Sequence, residues 1–149
     1  MSKKNFDLDR SIPYLIYRIS NGLNQNIGDR LKETGLTLSK WRLLSSLRSR
    51  GTSTVGELAR CTVMQHAVVS RILKELEKEG LILRQQRRND QRVVEVQLTD
   101  QGEAAFAYAY DIAEGHRKDA LTGFSRTETL ELGAMLRRIQ DNIGIIGQS

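Results

Sequence analysis

The chain has 149 residues and a formal net charge of +5, a length that suits one packed domain, or a small domain with a helical dimerisation layer, rather than two independent domains. A single cysteine, Cys61, excludes an intrachain disulfide scaffold, and no apolar run is long enough to span a bilayer. Residues 1–54 carry ten Lys/Arg against four Asp/Glu, residues 55–98 eight against six, and residues 99–149 five against eight. The basic part suits a polyanion; the acidic last third is not expected to lie on phosphates. The protein is expected in the cytoplasm, with no membrane association.

Residues 2–8 read as a lead-in to a helix that begins near Asp9 or Ser11. Pro13 is tolerated there because the first turn of a helix has backbone N–H groups without helical partners. Ile12, Ile16, Ile19, Leu23 and Ile27 recur at helical spacing, with Leu15 and Leu31 widening the stripe and Gly35 ending it. Thr37 is the expected cap of the next helix, in which Leu38, Trp41, Leu44 and Leu47 form the inner stripe before Gly51. Trp41 has two readings, a core anchor or the aromatic wall of a small-molecule site.

The stretch from Thr54 to Leu98 organises the chain. Thr54-Val55-Gly56-Glu57 reads as a capping box, and Leu58 and Ala59 then face inward. After Arg60-Cys61-Thr62-Val63-Met64 a second helix is expected from about Gln65 to Glu79. Val69, Ile72, Leu73 and Leu76 fall on its inner face, and Gly80 stops it. Its outward face carries Gln65, His66, Ala67, Ser70 and Arg71, side-chain types that address base edges and phosphates in a major groove. An ordinary helical hairpin with a solvated polar face is the competing reading of that helix. Two strand-like runs follow, Ile82 to Gln86 and Val93 to Leu98, separated by Arg87-Arg88-Asn89-Asp90-Gln91-Arg92. Asn-Asp supplies turn chemistry, and Arg84, Arg87, Arg88 and Arg92 place positive charge on a projecting tip that suits phosphates or a narrow minor groove. A charge run following a helix-turn-helix is read as a wing.

Thr99 is expected to cap a helix running to about Leu121 or Thr122, with Ala105, Phe106, Ala109, Ile112 and Ala113 inward. Gly123 breaks it, and Ser125-Arg126-Thr127-Glu128 reads as a second capping box. In the last helix Leu132, Leu136, Ile139, Ile143 and Ile146 form a heptad-like seam. The apolar stripes at the two ends exceed what one small module can bury. A twofold dimer through Ile12, Ile16, Ile19, Leu132, Leu136, Ile139 and Ile143 is the economical arrangement, and packing of the two ends on each other within one chain is the alternative.

No paired acid and base suggests an enzyme, and no cofactor or metal ligand set is expected: His66 and His116 are far apart and no Cys/His/carboxylate cluster has metal-ligand spacing. His66 is read as a DNA contact in preference to an idle exposed residue, His116 as a helix-surface residue, and Cys61 as a structural thiol rather than a redox switch.

The segment Asp90-Gln91-Arg92, followed by Val93 to Leu98 and Thr99-Asp100-Gln101-Gly102, resembles the D-x-R wing and L-T-x-x-G motifs of the MarR family of bacterial winged-helix regulators. Leu36 to Leu44 and Ser70-Arg71 extend the similarity, which spans nearly the whole length. The sequence departs from the family at Val63-Met64-Gln65, where many members have Gly-Leu-Asp or Gly-Leu-Ser. The resemblance implies a mainly α fold with a small β-hairpin wing. A single domain, 1–149, would comprise a winged helix-turn-helix lobe at 36–98 and dimerisation helices at 9–34 and 99–146. It implies a ligand-responsive repressor binding double-stranded DNA at a pseudo-palindromic operator as a homodimer. Arg92 would reach DNA at the wing tip, and Asp90 would shape the wing by pairing with a neighbouring arginine. It further implies a cleft between the lobe and the dimerisation helices, lined by Tyr14, Tyr17, Arg18, Trp41 and Arg42, that favours an aromatic or phenolic acid effector. A winged-helix protein-interaction module without specific DNA binding is the alternative.

Overall fold

Residues 7–145 are described by a computed structural model. Asp7 Oδ1 accepts the Asp9 N–H and opens a short 3-10 turn at Leu8–Arg10. Helix α1, Ile12–Leu31, follows with Pro13 in its first turn and no side-chain cap. Its C-terminus tightens into a 3-10 turn at Lys32–Thr34 that ends on Gly35, in the left-handed region at φ 75°. Thr37 caps α2, Leu38–Arg50, by accepting the Lys40 N–H.

Strand β1, Ser53–Thr54, leads directly into α3, Val55–Thr62, through the expected capping box: Thr54 Oγ1 accepts from the Glu57 N–H at 3.2 Å, and Glu57 Oε2 accepts from the Thr54 N–H at 2.7 Å. Helix α4, His66–Lys78, buries Val69, Ile72, Leu73 and Leu76. Strands β2, Ile82–Arg87, and β3, Asp90–Leu98, form the hairpin, and β1 adds to its far side, giving an antiparallel sheet in the order β1-β3-β2. Helices α5, Asp100–Ala120, and α6, Arg126–Asn142, complete the described chain. The architecture is mainly α with a small three-stranded wing sheet.

The core sits where α2, α3 and α4 meet the base of the hairpin. Leu43, Leu44, Leu58, Val69, Leu73, Leu76 and Val96 are fully buried there, and Ile27 and Leu31 of α1 and Ala109 of α5 join the same cluster. Each such leucine contributes about 1.5–3 kcal/mol by leaving water. The junction of hairpin and α5 is equally tight. Thr99 Oγ1 donates to the Gly80 carbonyl at 2.5 Å and accepts from the Gly102 N–H at 3.1 Å, while the Thr99 N–H donates to the Leu81 carbonyl. A Cβ on Gly102 would lie 1.9 Å from that Leu81 oxygen. The glycine of the L-T-x-x-G pattern therefore allows the α5 backbone to touch the start of β2.

The structure corrects several sequence expectations. The hairpin turn comprises Arg88 and Asn89, with Arg87 paired to Asp90, so the strands run further than expected and Asn-Asp is not the turn. The register slips between Gln86 and Arg87, and the extra residues fall on β3 around Arg92. Thr54, expected only as a cap, also pairs with Glu95 as part of a third strand. His116 is buried, not on the helix surface, and its Nε2 has no hydrogen-bond partner among the described residues. The reason is its spacing: His116 lies two turns beyond Ala109 on the face it shares with Ile112 and Ala113, which packs into the fold. The seam of α6 is not buried within the chain, since none of that helix's residues is buried; Ile143 is its C-cap, and Ile146 lies outside the described residues.

Candidate nucleic-acid interface

The turn between α3 and α4 sets how α4 is presented. The Val63 N–H donates to the Arg60 carbonyl and the Met64 N–H to the Ala59 carbonyl, the paired bonds that close a helix around a left-handed residue. Val63 occupies that position at φ 54°, ψ 40°, and is the single non-glycine residue with positive φ among the described residues. A β-branched side chain there is strained, because its Cβ crowds the following carbonyl. The chain thus keeps the left-handed turn at the point where it departs from the family's glycine. Gln65 then takes the N-cap of α4 in extended conformation, without a side-chain cap bond.

That N-terminus points an open face outward. Gln65, His66, Ala67 and Arg71 are exposed and Ser70 is half-buried, while the opposite face is the leucine-rich one inside the core. Arg71 Nη1 rests on Glu75 Oε1 at 2.9 Å, one turn along the same helix. Glu75 Oε2 in turn lies 3.5 Å from the Lys40 Nζ.

The wing arginines fall into two groups. Arg84, half-buried at the base of the hairpin, donates through Nε and Nη2 to Glu77 Oε2 at 2.8 and 2.5 Å, and the guanidinium bond holds the Glu77 carboxyl below its ordinary range. It ties β2 to α4 and is not part of the projecting tip where the sequence placed it. Arg87 donates from Nε to Glu95 Oε1 at 2.6 Å across the hairpin, and this bond raises its already high pKa. Arg88 at the turn and Arg92 at the bulge have no ion-pair partner among the described residues and are exposed. Asp90 does not pair with a guanidinium. Its Oδ1 accepts the backbone N–H of Arg92 at 3.0 Å, satisfying a donor that the bulge removes from the ladder.

The residues expected to line an effector cleft do not come together. Tyr14 and Tyr17 stack at 6.3 Å along α1, and Arg18 sits over the Tyr14 ring while pairing with Asp9. Arg42 donates to Asn24 Oδ1 at 2.7 Å. Of the five, Trp41 alone lines the open cleft of about 550 Å³ between α2 and α5, with Ser45, Arg48, Ser49, Phe106 and Tyr110 as the other walls. Trp41 stacks on Phe106 at 5.2 Å, and Phe106 in turn meets Tyr110 at 5.7 Å. Trp41 also packs against the hydrophobic core, as its reading as a core anchor expects. Phe106 was legible as an inner-face residue, but its pairing with Trp41 depends on how α5 crosses α2. Cys61 is half-buried, and its Sγ donates to the Leu58 carbonyl at 3.4 Å.

An outward-facing helix α4, a strained tight turn before it and an arginine-tipped hairpin on a common core define a winged helix-turn-helix regulator. A profile of the MarR family matches residues 36–94. The chain is 30% identical over 133 residues to the uncharacterized HTH-type transcriptional regulator YdgJ of Bacillus subtilis, covering 89% of this chain and 80% of that protein. Its structure resembles a MarR-family transcriptional regulator from Silicibacter pomeroyi with a TM-score of 0.85 at 26% identity, over 96% of this chain and 97% of that one. It also shares its fold with Bordetella bronchiseptica BpsR, whose DNA binding is regulated by 6-hydroxynicotinic acid. That TM-score is 0.81 at 20% identity, over 91% of this chain and 97% of that one. This chain belongs to the MarR family of transcriptional regulators.

Proposed function

We propose that the protein is a homodimeric, sequence-specific repressor of transcription that reads a pseudo-palindromic operator and is released by a small aromatic or phenolic acid. The single observation that carries the DNA-reading part is that the lobe at 36–98 joins an exposed polar face of α4 to a wing whose exposed Arg88 and Arg92 have no ion-pair partner among the described residues. In this reading Gln65, His66, Ala67, Ser70 and Arg71 face the major groove. Arg88 and Arg92 reach the minor groove and phosphates, with Arg87 beside them. Asp90 keeps the wing in shape through the Arg92 backbone, and Arg84 supports the wing from its base.

The flanking helices at 9–34 and 99–146 form the dimer layer. Ile12, Ile19, Leu136 and Ile143 are 58, 59, 42 and 66% exposed, an unusual state for apolar side chains lying on two helices at opposite ends of one chain. A second copy covering Ile12, Ile16 and Ile19 together with Leu132, Leu136, Ile139 and Ile143 removes them from water. It also places two α4 helices on grooves about 34 Å apart.

The α2–α5 cleft supports the effector part. Trp41, Phe106 and Tyr110 offer ring faces, Ser45 and Ser49 hydroxyls, and Arg48 a guanidinium now shared with Glu103 at 3.2 Å. That set suits a flat ring bearing an acid group. The regulation of BpsR by an aromatic acid is a precedent in the same fold.

The test is binding to a duplex that the wild-type chain selects from a randomised pool. Arg92→Ala is expected to weaken that binding by about 1–3 kcal/mol and to relax base preference at its position, as read by fluorescence anisotropy at physiological salt. An unchanged isotherm would remove Arg92 from the reading set.

A further inference from the structure

Among the described residues, Lys40 is the one buried side chain of the Lys, Arg, Asp and Glu types; it is 9% exposed. An ammonium taken out of water needs compensation, and two carboxylates supply it. Lys40 Nζ lies 2.5 Å from Glu79 Oε1 and 3.5 Å from Glu75 Oε2. Burial pulls the Lys40 pKa down, but the hydrogen bonds and charges of Glu79 and then Glu75 outweigh it and hold the group above its ordinary value.

These contacts extend to the reading face. The second oxygen of Glu75 accepts from Arg71 Nη1 at 2.9 Å, so Glu79, Lys40, Glu75 and Arg71 form one alternating chain of charges. It starts at the C-cap of α4, passes through the third residue of α2, whose backbone N–H is fixed by the Thr37 cap, and ends at a guanidinium whose side chain is 65% exposed. Glu75 therefore divides its charge between a buried fixed cation and a mobile outward one. Arg71 must weaken its hold on Glu75 to bind a phosphate or base edge, and the ease of that exchange depends on how much of the carboxylate's charge Lys40 already neutralises.

We propose that Lys40 is a positioning residue for Arg71, acting through Glu75 to keep the reading guanidinium releasable to DNA. This rests on the DNA-reading function of α4 proposed above. Without the Lys40 charge, Glu75 and Glu79 repel one another one turn apart on α4. Glu75 then has Arg71 as its single cationic partner and holds it more firmly.

A double-mutant cycle on the full-length protein tests this, using the selected duplex at a salt concentration low enough that the Arg71→Ala chain still binds. Lys40→Met is expected to weaken binding about tenfold when Arg71 is present and to leave it unchanged in the Arg71→Ala background, a coupling within the range seen for residues in one charge network. Glu75→Gln keeps Lys40 paired to Glu79, so it is the variant safest for folding. It is expected to tighten binding a few-fold with Arg71 and to do nothing without it. Lys40→Arg, which retains the charge, is expected to restore most of the loss. Equal effects of Lys40→Met and Glu75→Gln with and without Arg71 would overturn the positioning role while leaving DNA reading intact. If the wild-type chain enriches no duplex from the pool, the DNA-reading function falls, and this inference with it.

Discussion

The lobe and the outer helices are built to different standards of completion. In the lobe nearly every apolar stripe meets another: Leu58 of α3, Leu73 and Leu76 of α4 and Val96 of β3 are all fully buried, and two of its three helix entrances, at Thr37 and Thr54, are capped by side chains. Helix α6 is capped just as well, with Ser125 and Glu128 exchanging bonds at 3.2 and 2.7 Å, yet none of its residues is fully buried, and Leu132 and Ile139 are only half-buried. Capping boxes form in both regions, at Thr54 and at Ser125, but the buried apolar partners are in one. The difference teaches that a well-capped helix does not thereby acquire a tertiary partner: α6 leaves its apolar seam open within the chain. Under the proposed function, this is the signature of a self-associating layer attached to a reading head.

The contrast can be broken most severely where the lobe is tightest. Gly102→Ala puts a methyl group against the Leu81 carbonyl at 1.9 Å, and because that neighbour is backbone, relief requires moving α5 away from the hairpin. A loss of about 3 kcal/mol in urea unfolding is expected. A loss below about 0.5 kcal/mol, the level of an ordinary surface substitution, would mean that the junction is loose.

A smaller change of opposite sign is expected at the strained turn. Val63→Gly relieves a left-handed β-branched residue that is 80% exposed and has little packing to lose, so the variant should gain about 1 kcal/mol. Calorimetry giving a lower melting temperature would show that Val63 packs better than its exposure implies. The smallest effect is electrostatic. Arg84 lowers the Glu77 carboxyl below its ordinary 4.5, so the pair's stabilisation is present above that pH and is lost as the pH falls through the lowered value. Glu77→Gln should therefore be less stable than the wild type at neutral pH, and the gap should close on acidification. A gap independent of pH would assign the effect to packing.

Much of the fold was legible because periodicity and capping are local. The inner face of α4, both capping boxes and the threonine cap of α5 follow from spacings of three and four residues in the sequence. Legibility stopped where a side chain's partner lies on another element. Arg84 and Arg88 look alike in the sequence, but Glu77 draws the first to the base of the wing and leaves the second at its turn. Nothing in the sequence around Lys40 announces its partners, since Glu75 and Glu79 reach it only through the packing of α4 on α2. His116 reads as solvent-facing until Ala109 and Ala113 are seen to share its buried face. The surroundings of Trp41 were hidden for the same reason: its stacking partner Phe106 comes from α5, and their contact depends on how the two helices cross.

The most direct measurement is sedimentation of the full-length protein alone and with the selected duplex, beside a Leu136→Asp variant. The account predicts a dimer that binds one duplex per two chains. It predicts that Leu136→Asp, whose site is 42% exposed within the chain, dissociates the dimer and loses operator binding while the lobe stays folded. A wild-type chain that sediments as a monomer and binds the duplex one to one would contradict it.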